Sequence, residues 1–363
     1  MTALELDHSM MQRALELAAR GLYSTQPNPR VGCVIAQDDK IVGEGWHMKA
    51  GEPHAEVHAL RKAGDQARGA TAYVTLEPCS HVGRTPPCAD ALIHAGIVRV
   101  VYAMKDPNPL VNGTGLAKLQ TAGIQVSGPI LESAAQDLNA GFIKRMASGL
   151  PLVRIKMGMS LDGRTALANG ISQWITCEAS RDDVQHWRAR SSAILTGIGT
   201  ILADDPSLTV RSNTIDTQGR QPLRVICDSH LRTPPTAKVV GSAGTTIYTT
   251  ASPRHCGMAD VIQVGADTQG KLDLELVLRE LAMLGCNEVL VEAGATLAGA
   301  LIERGLVDEL LLYVAPVLLG PQARPLLDLP LLSHMSERVE MQLLETQQFG
   351  SDVRLRYRVI NEF

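Results

Sequence analysis

Three observations predict two consecutive α/β domains. Helical and strand periodicities alternate along the chain, the alternation restarts after Gly149-Leu150-Pro151, and 363 residues at 45% hydrophobic can fill two cores. The boundary is expected at that linker, with a first domain over residues 1–147 and a second over 151–363. In the first, residues 10–21 have helical spacing, and residues 30–35 and 40–46 read as strands around an Asp38-Asp39 turn. A helix over 54–63, a strand over 72–76, a long loop, a helix over 89–96 and a strand over 98–104 follow. A helix over 115–122, a short strand over 124–127 and a helix over 133–148 complete an α/β layer sandwich.

The second domain opens with a strand over 152–157, then a helix over 177–189, a strand over 193–196 and a helix over 199–203. Strands over 224–228, 245–249 and 287–292 come next, the last leading into a helix over 296–304. Residues 309–315 form a further strand. Near the end Val353, Leu355, Tyr357 and Val359 alternate with Arg354, Arg356 and Arg358, a period of two that predicts a half-exposed antiparallel strand.

A net charge of −4 gives no basic stripe, so small substrates are favoured over nucleic acid. The first residues lack a basic, apolar leader, and the densest apolar stretch, 310–319, is too short to span a bilayer. A cytoplasmic protein with no membrane partner is expected. Seven cysteines in a chain of this length read as reduced thiols, two of them recruited to metal and none in a disulfide.

The chemistry is concentrated in His54-Ala55-Glu56 and in Pro78-Cys79 with Cys88. One imidazole and two thiolates are a ligand set zinc prefers, and three protein ligands leave a fourth position for water, as in catalytic sites. Glu56, two residues from His54, can then shuttle protons between that water and a leaving amine without binding metal. Residues i and i+2 do not share a helix face, so His54 and Glu56 converge only if the metal sits beyond the helix start. Glu52-Pro53 makes a start there plausible, and Pro86-Pro87 places Cys88 before another helix, whose dipole favours a thiolate. His58 at i+4 offers a competing zincin-like pair, but Glu56 stands one position too late for that motif. His58 is read as a helix-face residue.

The two cysteines have eight residues between them, where the general nucleobase-deaminase signature has two. With that longer loop, His54-Ala55-Glu56 and the run Pro78-Cys79-Ser80-His81-Val82-Gly83-Arg84-Thr85-Pro86-Pro87-Cys88 resemble the deaminase half of the bifunctional riboflavin-biosynthesis deaminase/reductase family. The resemblance implies a cytidine-deaminase-like three-layer sandwich and a diaminopyrimidinone carrying a ribosylamino 5-phosphate as substrate. Water activated at the metal would replace the ring 2-amino group, with Glu56 carrying the protons. Pro27-Asn28-Pro29-Arg30-Val31-Gly32 resembles the family's approach to its first strand. Two readings of Asn28 stay open: it contacts the base, or it only starts a turn. His81 and Arg84, in the inserted loop, are candidates for the ribose phosphate, with a solvated loop as the alternative.

The second domain has no Gly-x-Gly-x-x-Gly opening and no Gly-Lys-Ser/Thr loop. Gly197-Ile198-Gly199 and the run from Gly294 through Ala295, Thr296, Leu297 and Ala298 to Gly299 each put glycines before a helix start, where N–H groups can hold a phosphate. A tight turn is the plainer account of both. Lys156 to Arg164, Ser172 to Thr176, Leu202 to Arg211 and Val291 to Gly294 resemble the reductase half of the same family. That likeness implies a dihydrofolate-reductase-like α/β domain using NADPH to reduce the ribosyl group to ribityl. It assigns the cofactor to Gly158, Trp174, Thr200, Asp204, Ser229 and the loop of Gly294, Ala295, Thr296, Leu297, Ala298, Gly299 and Ala300. Substrate falls to Ser172, Arg188, Leu208, Arg211 and Glu292, the arginines being suited to phosphate by their planar forks. Lys156 is the candidate proton donor or polarising cation; a salt-bridged lysine is the other reading. The resemblance also implies dimerisation, or higher homo-oligomerisation, through the reductase domain.

Two other functions compete. One is a nucleoside or tRNA deaminase with an unrelated appendage, opposed by the long cysteine loop and the acidic balance. The other is a silent ligand-binding protein keeping both folds, opposed by the intact set His54, Glu56, Cys79 and Cys88.

Overall fold

The structure, a computed structural model, describes residues 2–80, 87–109 and 111–360. It divides into two compact units, residues 1–149 and 150–363. Among the described residues no helix is long and apolar enough to cross a membrane.

The first unit starts with α1 (Ala3–Ala19), well before the predicted residue 10. The reason is a capping box: Glu5 N–H donates to Thr2 Oγ1 and Thr2 N–H to Glu5 Oε2, satisfying two donors of the helix start. β1 (Gly32–Gln37) and β2 (Lys40–Trp46) form the hairpin, and β3 (Thr71–Val74), β4 (Arg99–Tyr102) and β5 (Gln125–Ser127) complete a sheet of order β2-β1-β3-β4-β5. The helices α2 (Ala55–Ala63), α3 (Cys88–His94) and α4 (Thr114–Thr121) lie between these strands in sequence. Alternation along β1 sorts the core. Cys33 and Ile35 pack with Ala55, Ala59, Ala89 and Leu92, whereas Val34 and Ala36 pack with Met11, Ala14 and Leu15 of α1. Helices therefore cover both faces, giving three layers. α2 lies directly on β2: a Cβ on Gly45 would come 2.3 Å from Ala55 O, and one on Gly43 the same distance from Ala59 O.

The helix predicted over 133–148 is two, α5 (Glu132–Leu138) and α6 (Ala140–Ser148). Asn139 breaks it because its side chain is committed elsewhere, accepting from Arg30 N–H at 2.8 Å and donating to Arg30 O at 3.0 Å.

The second unit opens with β6 (Leu152–Ser160) and the short β7 (Arg164–Ala166), followed by α7 (Glu178–Arg190), β8 (Ala193–Gly197), α8 (Ile198–Asp204), β9 (Leu223–Cys227) and β10 (Thr245–Thr249). Then come β11 (Asp260–Gln263), α9 (Leu274–Met283), β12 (Glu288–Val291), α10 (Ala295–Glu303), β13 (Glu309–Ala315), β14 (Arg324–Pro325), β15 (Glu340–Phe349) and β16 (Asp352–Ile360). Nine strands make one sheet, β11-β10-β9-β8-β12-β6-β13-β16-β15. β11 through β13 in that order run parallel, and β16 and β15 close the edge antiparallel. Carboxyl ends of seven parallel strands thus share one sheet edge, where α/β folds place ligands.

The sequence pattern misses β7, β11, α9, β14 and β15. α9 was visible in principle: Asp273 caps it, and Leu274, Val277, Leu278, Leu281 and Ala282 mark one buried face. β15 was not, since it is an exposed edge strand with a bulge at Leu343–Glu345 that breaks its alternation. β16 is half-exposed as expected, with Arg358 exposed, but its polar face is not uniformly open. Arg354 is buried, and Arg354 and Arg356 lie over the Trp187 ring at 5.4 and 5.7 Å.

Candidate active sites

Sequence places two ligands at helix starts, and the first unit shows how. His54 is the extended N-cap residue of α2, and Cys88 is the first residue of α3 after Pro87. Cys79 lies in the irregular segment after β3. The Nδ1 of His54 is 3.2 Å from Cys88 Sγ and 3.6 Å from Cys79 Sγ, and the three ligand atoms lie within 4.8 Å of one another. Ordinary zinc–nitrogen and zinc–sulfur bonds in a tetrahedron put such atoms about 3.5 Å apart. The donor set and its spacing fit zinc.

Electrostatics agree with the geometry. The Cys79 thiol is held down to about 4 by the neighbouring Cys88 thiol and by His54, with Cys88 N–H donating to its sulfur at 3.3 Å. Cys88 is pushed up by that same Cys79 sulfur, by burial and by Glu56. Two adjacent thiols thus carry one negative charge easily and a second only beside a cation. His54 is shifted upwards by its bond to Cys79. Glu56 is 3% exposed, and burial followed by the Cys79 charge pushes its carboxyl above the usual range. Its buried Oε2 has no hydrogen-bond partner. A buried carboxyl with raised proton affinity and one oxygen unmet stands beside the ligand group.

His58 lies outside that group and packs on β2, where its Cβ would be 2.7 Å from a Cβ on Gly45. Asn28 donates through Nδ2 to His47 Nε2 at 3.0 Å, and His47 Nδ1–H donates to Pro53 O at 3.3 Å. Burial lowers His47 to about 4, so the ring is neutral and can accept from Asn28. The His47 ring meets His54 edge-on at 5.3 Å. Sequence reasoning missed His47, because a histidine closing a strand carries no spacing signal. His81 and Arg84 lie outside the described residues.

In the second unit the residues meet at the carboxyl end of β12. Glu292 follows that strand and accepts from Arg188 of α7 at 2.6 Å (Nε to Oε1) and 3.0 Å (to Oε2). Lys156 of β6 reaches Glu292 Oε2 at 3.2 Å. Burial alone would raise the Glu292 carboxyl; Arg188 and Lys156 outweigh it and hold the group far below the usual range. Arg188 also donates to Thr209 O at 3.0 Å. Lys156 is therefore paired, and its side chain is 20% exposed.

The other predicted positions have different local settings. Gly158 faces Thr176, whose Cγ2 would lie 3.0 Å from an added Cβ. Trp174 is 69% exposed, with Arg181 4.5 Å over its ring, and Ser172 is half-buried nearby in sequence. Thr200 and Asp204 are on α8, Ser229 follows β9 and accepts through its carbonyl from Thr250 N–H, and Arg211 is exposed. Leu208 and part of the run from Gly294 to Ala300 are buried. Leu208 is 2% exposed and packs with Ile194, Ile198 and Leu231, so its side chain belongs to the core. Of the run from Gly294 to Ala300, Gly294 caps α10 and the rest is helical, close to the helix expected over 296–304; Ala298 and Gly299 are buried, and a Cβ on Gly299 would come 2.1 Å from Asp328 O. In the first turn, at Ala295 to Leu297, the backbone N–H groups precede the first intrahelical bond, Ala298 N–H to Gly294 O, the kind of helix start that suits an anion.

Comparison with known proteins agrees with both halves. Residues 4–104 match the model of the cytidine and deoxycytidylate deaminase zinc-binding region, and residues 151–355 that of the RibD C-terminal domain. The riboflavin biosynthesis protein RibD of Escherichia coli K12 is 51% identical over 360 residues, covering 96% of this chain and 98% of that one. The structure of Acinetobacter baumannii RibD is similar with a TM-score of 0.93 at 48% identity, over 99% of this chain and 100% of that one. A Thermotoga maritima structure, named a diaminohydroxyphosphoribosylaminopyrimidine deaminase/5-amino-6-(5-phosphoribosylamino)uracil reductase, follows at TM-score 0.88 and 32% identity, with the same coverage. With relatives this similar along nearly its whole length, the chain belongs to the RibD family of riboflavin-biosynthesis proteins.

Proposed function

We propose that the chain deaminates 2,5-diamino-6-ribosylamino-4(3H)-pyrimidinone 5′-phosphate in residues 1–147 and reduces the ribosyl group of the product to ribityl in residues 151–363. The observation that carries this is the His54–Cys79–Cys88 group with Glu56 beside it, in a chain whose other half matches the RibD C-terminal domain. Zinc at the first site supplies an activated water, and NADPH at the second supplies a hydride.

The chain's own groups do the rest. His54, Cys79 and Cys88 hold the metal, and Glu56 moves protons to the ring nitrogen and the departing amine. Asn28, set by His47, orients the base, while His81 and Arg84 take the ribose phosphate. In the reductase, Glu292 pairs with both Arg188 and Lys156 and holds them, so that Lys156 can donate a proton as the imine is reduced and Arg188 can meet the substrate. Arg211 and Ser172 complete the substrate side, and Leu208 contributes through its backbone. Gly158, Trp174, Thr200, Asp204, Ser229 and the start of α10 at Gly294 hold NADPH. The protein acts in the cytoplasm as a homodimer or larger homo-oligomer through the reductase domain, a reading supported by the exposed edge strand β15 and by exposed Leu331 and Met335 before it.

Mass spectrometry of the product tests this. Purified protein given the diaminopyrimidinone should exchange one amino group for oxygen without NADPH, and add two hydrogens as well with it. Unchanged substrate from folded, zinc-loaded protein would refute the proposal.

A further inference from the structure

We propose that Glu77 is a positioning residue for the metal centre: its carboxylate locks the start of α4 onto the segment that carries Cys79. This rests on His54, Cys79 and Cys88 being the zinc ligands. Glu77 is 3% exposed, and four backbone donors converge on it. Oε1 accepts from Gly115 N–H at 2.9 Å and Leu116 N–H at 3.3 Å; Oε2 accepts from Gly113 N–H at 2.9 Å and Asp106 N–H at 3.3 Å. Three of these are orphan donors of a helix start, where a negative charge is favoured. An amide could not replace it. Glutamine has one acceptor oxygen, and its NH2 would face two N–H groups.

Three more contacts turn this cap into a clasp around Cys79. Glu77 N–H donates to Met104 O at 3.0 Å, tying the backbone before the ligand to the segment that follows β4. The Pro78 carbonyl lies against Gly115 so closely that a Cβ there would be 1.9 Å from its oxygen. After the ligand, Ser80 Oγ donates to Thr114 Oγ1 at 2.7 Å, since the Thr114 hydroxyl is already donating to Val111 O. Cys79 thus sits between two anchors on one helix end, and its sulfur inherits their rigidity. Groups that orient a ligand in this way set metal affinity without touching the metal.

The test compares full-length wild type, Glu77→Gln, Ser80→Ala and Cys88→Ser by competition for zinc with a chromophoric chelator, and by the thiolate-to-metal absorption of the cobalt(II)-loaded proteins. Glu77→Gln should bind zinc roughly 10- to 100-fold more weakly, with reduced thiolate absorption and unchanged reductase activity. Ser80→Ala should lose about fivefold, the worth of one hydrogen bond. A simple helix cap would lower the thermal stability of the metal-free protein and leave affinity and spectrum alone. Wild-type affinity and spectrum in Glu77→Gln overturn the proposal; if that variant does not fold, the same result in Ser80→Ala does. Cys88→Ser binding zinc as wild type does would instead overturn the ligand assignment beneath it.

Discussion

The two candidate sites differ in how far their polar groups satisfy one another. At the first, Glu56 Oε2 is buried without a partner, and Cys79 and Cys88 compete for one negative charge. At the second, Lys156 and Arg188 both pair with Glu292, so every charge has a partner and the group keeps one net positive charge. The contrast teaches where each derives its chemistry. An unmet set of valences is completed by an ion, whereas a satisfied ion-pair triad acts by its own charge and orientation.

The sharpest way to break that contrast is Glu56→Gln. It should keep zinc and lose deamination by roughly a thousandfold, with reduction unchanged. Zinc content and deaminase kcat check it, and more than a tenth of wild-type activity would end the proton-shuttle role. Next, Glu292→Gln should unpair two cations: reductase kcat/KM falls by about two orders of magnitude, and the unit loses about 3 kcal/mol in urea unfolding. A reductase profile like wild type would mean that the triad is only structural.

A pH series sharpens the comparison away from either site. Glu309 is buried, and burial would raise its carboxyl; Arg154 and then Arg356 outweigh that and bring it to about 2, against the ordinary 4.5. A depressed folded value stabilises above the unfolded one, so this contribution is full above pH ~4.5 and disappears as pH falls towards 2. Melting temperatures of wild type should drop through that window more steeply than those of Glu309→Gln, and parallel curves would contradict the assignment. The smallest effect is expected from Trp174→Ala. Its exposed ring under Arg181 supports a several-fold rise in KM for NADPH, in line with about 1 kcal/mol of stacking, with little change in kcat.

How much was legible followed from the same difference. His54-Ala55-Glu56 and Pro78-Cys79 with Cys88 are two short motifs, 25 and 34 residues from His54 to each cysteine, and few residue types bind zinc, so residue type and spacing pointed to the first site. The second needed residues 156, 188 and 292, brought together only by the parallel sheet; no local pattern joins them, and family likeness had to supply them. Leu208 shows the limit of that transfer, since a position carried over by likeness does not reveal whether its side chain or its backbone faces a ligand. Glu77 and His47 escaped notice because their roles lie in hydrogen bonds to the backbone and to a neighbouring amide, which leave no periodic trace. In the fold, strong alternation exposed β16 as a strand, but not that Arg354 and Arg356 lie over Trp187 while Arg358 stays exposed.

The first unit is expected to need a metal and the second to work without one. Stripping the protein with a chelator and assaying each step separately tests it most directly. Deamination should vanish and return with added zinc, while NADPH-dependent reduction of the deaminated compound continues at its original rate throughout. Deamination that survives the loss of zinc, or reduction that falls and recovers with it, would contradict the account.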